Sequence, residues 1–259
     1  MILAGFLLLA VGAVDLVRQF AARRWIGYLV VAVLLLVLGS VSDALLAMLA
    51  ALVVGALWVW CMPDDRPSPA GFWPAVLLGL VSAGAVVTLP ERSGAGLIGE
   101  VWHLDSPVGP ISVDLAVLVV GAAAFLLESA NLVVRAALDG EHTWRPVERR
   151  ELDPTRADAE GADAVASTAE PTAAVDRRTA FQGGRLIGPL ERILVLMLTL
   201  AAAYPLLAAM LAAKGIVRFP EISRGRETGA RAEYFLVGSL VSWVIALGAA
   251  FLVWWSANS

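Results

Sequence analysis

The chain has 259 residues, 59% of them hydrophobic and 16% charged, with a formal net charge of −4 and a mean hydropathy of +0.78. A soluble domain is about half apolar. Several apolar runs here reach the roughly 18 residues that carry a helix across a bilayer core, and they are continuous rather than alternating, which argues against a β-barrel. With one cysteine, Cys61, and two histidines, His103 and His142, an intrachain disulfide and a Cys/His zinc site are excluded.

These properties predict an all-α, polytopic transmembrane bundle of about seven hydrophobic segments. Met1 to Val14 is apolar, but no Lys or Arg precedes it and no small-x-small cleavage site follows. It reads as a retained first helix rather than a signal peptide. The first segment runs from Ile2 to Val17. Trp25 to Met62 is one apolar stretch, more than about 50 Å long as a single helix and too long for one crossing. Gly39-Ser40-Val41-Ser42-Asp43 is the natural turn within it, with Ser42 or Asp43 as N-cap of the third helix. The fourth segment runs from Trp73 to Leu89, the fifth from Ile111 to about Leu138, the sixth from Ile187 to Ala213 and the last from Ala232 to Trp255.

Asp139 to Ala180 is different. It is rich in Asp, Glu, Arg, Ala, Thr and Pro, has few aromatics and shows no apolar periodicity. Such a segment buries too little surface to offset ordering, so it reads as a disordered linker. It divides the chain into an N-terminal bundle of about five helices (1–138), the linker (139–180) and a C-terminal membrane unit (181–259). No internal repeat is strong enough to argue inverted symmetry.

Basic residues set the orientation. Arg18, Arg23 and Arg24 follow the first segment, Arg66 follows the third, and the linker is rich in Arg. The Gly39–Asp43 turn has none, and Arg92 is alone after the fourth segment. This pattern predicts an outside N-terminus and a cytoplasmic linker. The basic residues are almost all Arg and Ala and Val abound, which points to a GC-rich bacterial genome and to the cytoplasmic (inner) membrane.

The sixth segment leaves two routes open. If it spans once, Lys214, Arg218, Arg224, Arg226 and Arg231 lie outside, against the charge rule. If it bends at Tyr204-Pro205 into a re-entrant hairpin, they return inside near Glu191 and Arg192. The two routes put the C-terminus on opposite sides.

Ionisable residues within apolar sequence are costly and mark the working parts of a membrane protein. Glu191, Arg192, Lys214, Arg218 and Glu233 form one candidate cluster, expected first as a structural ion network, second as simple helix flanks and third as a ligand or proton site. Glu128, Asn131 and Arg135, spaced three and four apart, form a polar face on the fifth segment beside Gly121 and Ala124. Packing glue is the leading expectation there, with a polar path or anion site second. Asp15 and Arg18 are spaced for an intrahelical pair that neutralises and anchors the first helix. Gly238, Ser242, Ala246 and Ala250 form a small-residue stripe on the last helix, expected to pack within the chain. The outer loop Pro90 to Pro110, with Leu97, Ile98, Trp102 and His103, reads as an interfacial cap.

No Gly-x-Ser-x-Gly elbow, His-Glu-x-x-His pair, phosphate-binding Gly-x-x-x-x-Gly-Lys or dinucleotide fingerprint is present. No catalytic residue, cofactor or metal is expected, and no basic, aromatic-interleaved surface argues for nucleic acid.

The C-terminal third carries Gly184-Arg185-Leu186-Ile187-Gly188-x-Leu190-Glu191-Arg192, then Ala213-Lys214-x-x-x-Arg218-Phe219, then Ala232-Glu233-Tyr234-Phe235-Leu236-Val237-Gly238-Ser239-Leu240-x-Ser242. From Phe181 to Ala250 this three-part pattern resembles an uncharacterised family of bacterial integral membrane proteins. The resemblance implies a bacterial membrane location and a C-terminal unit whose marked positions act together. It supplies no activity. The expected function is therefore a non-enzymatic interaction or regulatory membrane protein, in contact with the bilayer and with a protein partner docked on the 139–180 linker. A small secondary transporter or channel using Glu128, Glu191 and Arg192 is the alternative. A membrane-embedded enzyme ranks third.

Overall fold

The computed structural model describes residues 1–63, 71–89, 92, 94, 96–106, 109–140, 184–223 and 228–259. The linker expected at 139–180 therefore lies, from residue 141 on, outside the described residues. The described chain is helical throughout its apolar runs. Four helices are long and apolar enough to cross a membrane: Ile2–Phe20, Arg24–Val41, Val113–Asp139 and Glu233–Asn258.

Helix α1 (Ile2–Phe20) is the centre of the bundle. It packs on α2 (Arg24–Val41), α3 (Leu45–Cys61), α4 (Trp73–Thr88) and α6 (Val113–Ala124). Phe6 and Val11 are fully buried. Its closest neighbour is α6, and glycines set that distance. A Cβ on Gly12 would stand 2.6 Å from the Ala124 carbonyl carbon, and one on Gly121 would stand 2.5 Å from Gly5 O. Only residues without a side chain let two backbones approach so closely.

Helix α2 is the opposite case. Leu35 and Gly39 are its only buried residues, and Leu29, Leu34 and Val37 are exposed. Exposed leucine and valine along a helix of spanning length fit a hydrocarbon surround.

The α2–α3 turn differs from expectation. Neither Ser42 nor Asp43 caps α3; Ala44 holds that position without a side-chain bond. Ser42 instead ends α2, and its hydroxyl donates back to Leu38 O at 2.7 Å. A serine turned back to donate to the carbonyl four residues earlier lies against its own helix, and its oxygen caps no N–H of the next one. Asp43 takes the tight bend in the left-handed region, at φ 51°.

After α4 come a short helix, α5 (Gly96–Val101), and a two-residue antiparallel pairing of β1 (Asp105–Ser106) with β2 (Gly109–Pro110). Trp102 closes this cap by donating from Nε1 to Ile111 O at 2.7 Å. Helix α6 starts two residues later than expected, because Ser112 is its N-cap and accepts from Leu115 N–H at 3.2 Å. A π-helical turn, Phe125–Ser129, then interrupts the span before α7 (Ala130–Gly140).

The segment expected at 187–213 is two helices. Helix α8 (Gly184–Leu200) ends at Ala201–Ala203, and α9 (Tyr204–Ser223) begins there. Ala202 turns the chain at φ 53°. Pro205 sits in the first turn of α9, where its missing N–H costs no helix bond. The two helices lie side by side as a hairpin. Helix α10 (Thr228–Asn258) packs on α8, α7, α6 and α4, so the C-terminal unit is seated on the N-terminal bundle. Its small-residue stripe faces inward: Ser242, Ala246 and Ala250 are buried, and a Cβ on Gly238 would touch Leu138 at 3.6 Å.

Candidate functional site

The π-helical turn explains why an arginine sits at the centre of the molecule. In an α-helix the Ala130 N–H would bond Leu126 O; here it reaches Phe125 O instead. Leu126 lies midway along the Val113–Asp139 span, and its carbonyl accepts from Arg192 Nη1 at 3.2 Å. The same nitrogen donates to Asn131 Oδ1 at 2.8 Å, and Nε donates to Ser242 Oγ at 2.9 Å. Arg192 is 4% exposed. Its guanidinium therefore ties α8 to the π-helical turn, α7 and α10, using the fork of donors that only arginine has.

Acidic groups flank this centre. Asn131 Nδ2 donates to Glu128 Oε2 at 3.3 Å, so Asn131 bridges Glu128 and Arg192. The charges of Glu191 and Glu128 both act on the Arg192 guanidinium. Glu191 itself points to the hairpin. Both its carboxylate oxygens accept from Lys214 Nζ, each at 2.7 Å, and Trp243 Nε1 donates to Oε1 at 2.9 Å. The Lys214 ammonium also lies 5.5 Å from the Trp243 ring centre and 5.8 Å from that of Phe235. Carboxylate and ring faces together replace the water an ammonium loses on burial.

The expected residues thus divide. Glu191 and Lys214 meet, and Arg192 meets the Asn131 of the second cluster. Glu128 is buried beside them. Arg135 and Glu233 are exposed, and Glu233 has no hydrogen bond or ion pair among the described residues. The Arg218 side chain lies outside the described residues. Trp243 and the Leu126 carbonyl were not expected. A tryptophan next to Ser242 in an apolar helix is a faint signal for the first, and the second has none in the sequence.

Two further clusters hold the N-terminal bundle. Arg18 Nη1 donates to Asp15 Oδ1 at 3.1 Å, as the spacing predicts. It also donates to Met62 O at 2.8 Å, and its Nη2 to Val59 O at 2.7 Å. Carbonyls at a helix C-terminus lack intrahelical donors, and a cation satisfies them. Trp58 Nε1 donates to Asp15 Oδ2 at 2.8 Å. The pair therefore pins α1 to the end of α3. At the other end of the bundle, Arg92 pairs with Asp114 in the first turn of α6, and its Nη1 donates to Ser42 O at 2.8 Å and Asp43 O at 3.2 Å. It clamps the α2–α3 turn to α6.

Among the described residues, no group of three or more His, Cys, Asp or Glu is placed to hold a metal ion. A cavity of about 570 Å³ lies between α4, α7 and α10, and its walls are apolar; neither Glu128 nor Glu191 lines it. No protein family, curated protein or solved structure matches this chain.

Proposed function

We propose that this is a non-enzymatic interaction or regulatory membrane protein whose buried charges serve structure. One observation carries the reading. The guanidinium of Arg192 is held by groups from three separate parts of the fold, while the neighbouring carboxylate of Glu191 is held by Lys214 and Trp243. A transported ion or proton needs a group that exchanges partners along a wet path. Here the donors and acceptors are committed within the chain, and the large cavity is apolar.

The topology belongs to the same proposal. Helices α3, α4 and α9 add shorter apolar segments to the four long ones, giving about seven hydrophobic segments, with α8 and α9 a re-entrant pair in the inner membrane of a bacterium. The N-terminus is then outside and the 139–180 linker cytoplasmic, where it offers a docking segment to a protein partner. Membership of the uncharacterised family that the C-terminal pattern resembles is part of this reading too.

Glu191→Gln and Glu128→Gln variants in liposomes test it. Reduced yield of folded protein, with no solute or proton flux in any form, is the expected result. Flux present in the wild type and lost in a variant that folds normally would replace this reading with the transporter one. Accessibility mapping of single cysteines across 214–231 reports the side on which the hairpin ends.

A further inference from the structure

Helix α9 is attached mainly through one ammonium group. No residue of its apolar part, Tyr204–Val217, is buried. Leu207, Met210, Leu211 and Lys214 are its half-buried stripe, and the rest of that part is exposed. Every other described helix of more than six residues buries part of one face. Among the described residues, Lys214 is the only α9 side chain that makes a hydrogen bond or an ion pair. Little apolar burial therefore helps to hold this helix down.

The groups that receive the ammonium all come from other helices. Glu191 on α8 offers both carboxylate oxygens at 2.7 Å, and Trp243 and Phe235 on α10 place their ring centres 5.5 and 5.8 Å from Nζ. Trp243 Nε1 also donates to Glu191 Oε1 at 2.9 Å, which keeps the carboxylate in place without any help from α9. A carboxylate beside aromatic rings is the chemistry that recognises an alkylammonium. Two short N–H···O bonds demand a group that carries hydrogens, so a primary ammonium fits and a quaternary one does not. The side chains of Lys214 and Glu191 are 23% and 12% exposed, so the site can be reached from outside. Lys214 has only its tether as an advantage, and a short tether is worth an effective concentration on the order of millimolar. We infer that Glu191, Trp243 and Phe235 form a binding site for a primary ammonium, filled by Lys214 as a tethered ligand, from which a free alkylammonium or a phosphatidylethanolamine headgroup displaces it and frees α9. The inference rests on the structural reading of the Glu191–Lys214 pair and adds that the carboxylate exchanges its cation.

Thermal unfolding of the full-length Lys214→Ala variant in detergent tests the site. Ethylammonium chloride is expected to raise its midpoint by about 3 °C, because a ligand bound only by the folded state stabilises it. Sodium chloride at equal ionic strength should not. The shift should vanish when Glu191→Gln is added and shrink when Trp243→Leu is added. Displacement is read in the chain that keeps Lys214, with Cys61→Ser and Leu207→Cys. The thiol introduced on α9 is expected to react with a methanethiosulfonate about fivefold faster in ethylammonium than in sodium chloride, as the freed helix becomes populated. Vesicles separate the two sources. Faster labelling in phosphatidylethanolamine–phosphatidylglycerol than in phosphatidylglycerol alone assigns the site to the headgroup as well, and acceleration by ethylammonium alone assigns it to free amines. Equal midpoint shifts with sodium and ethylammonium, a shift that survives Glu191→Gln, or labelling that ethylammonium leaves unchanged would overturn the inference. If Lys214→Ala does not fold, the labelling decides. Flux in liposomes tests the structural reading separately, so the two fail independently.

Discussion

Glu191 and Lys214 are 23 residues apart in sequence and 2.7 Å apart in space. On one straight helix, 23 residues span about 35 Å. The contact exists because the chain reverses at Ala201–Ala203, and it ties the far arm of the hairpin to the near one. Trp243 then fastens the same carboxylate to α10.

Glu191→Gln is expected to destabilise the protein by about 1–3 kcal/mol, since it leaves a partly buried ammonium without its counter-charge. The side chains are 12% and 23% exposed, which keeps the figure below that of a fully buried pair. A double-mutant cycle with Lys214→Met, read by thermal unfolding in detergent, should give a coupling of about 1 kcal/mol. Additive losses would mean that the pair does not hold the hairpin.

Arg192→Met is expected to cost more, about 3 kcal/mol or above, because it unties the α8–α10 connection and removes the donor from Asn131 Oδ1, the Leu126 carbonyl and Ser242 at a buried site. Arg192→Lys should rescue little. A lysine head cannot reach Leu126 O, Asn131 and Ser242 from one rigid plane. Yield of monodisperse protein and limited proteolysis of α8 would measure both; full rescue by lysine would show that charge alone matters there.

Arg92→Ala should cost about 1 kcal/mol or less, and the loss should shrink as salt is raised, because the Arg92 and Asp114 side chains are 25% and 14% exposed. The Arg192→Met loss should not change with salt. Unfolding in low and high sodium chloride separates the two.

Gly12→Ala is expected to destabilise by about 1–3 kcal/mol through overpacking against α6. Gly84→Ala, where a Cβ meets nothing within 4 Å, should be neutral or stabilising by about 0.5–1 kcal/mol, since alanine restricts the unfolded chain. Equal melting temperatures for the two variants would contradict the close α1–α6 packing.

Local spacing made part of this legible in advance. Asp15 and Arg18 are three residues apart on one helix, so their pairing follows from helical geometry. The apolar lengths likewise placed the first four helices, apart from their ends, but did not show the π-helical turn at Phe125–Ser129 and left the break after Leu200 as one of two routes. The sequence was silent where partners come from distant segments. Trp58 reaches Asp15 across 43 residues and Ser242 reaches Arg192 across 50. It was misleading at Ser42, because a serine suits the end of one helix as well as the start of the next. Glu233 sits in the same charged pattern as Glu191 and is nonetheless exposed, since a pattern along the chain does not say which face of α10 turns inward.

Composition and run length by themselves determined an all-helical chain with segments of membrane-crossing length, because burial of backbone polar groups in an apolar medium leaves few alternatives. Tertiary structure decided which charges from different helices meet. The register of α8 against the π-helical turn brings the Arg192 guanidinium to Leu126 O, and the reversal at Ala202 brings Lys214 back to Glu191. Those positions depend on how helices pack on one another, and hydrophobic pattern fixes the face of a helix more firmly than its height beside a neighbour.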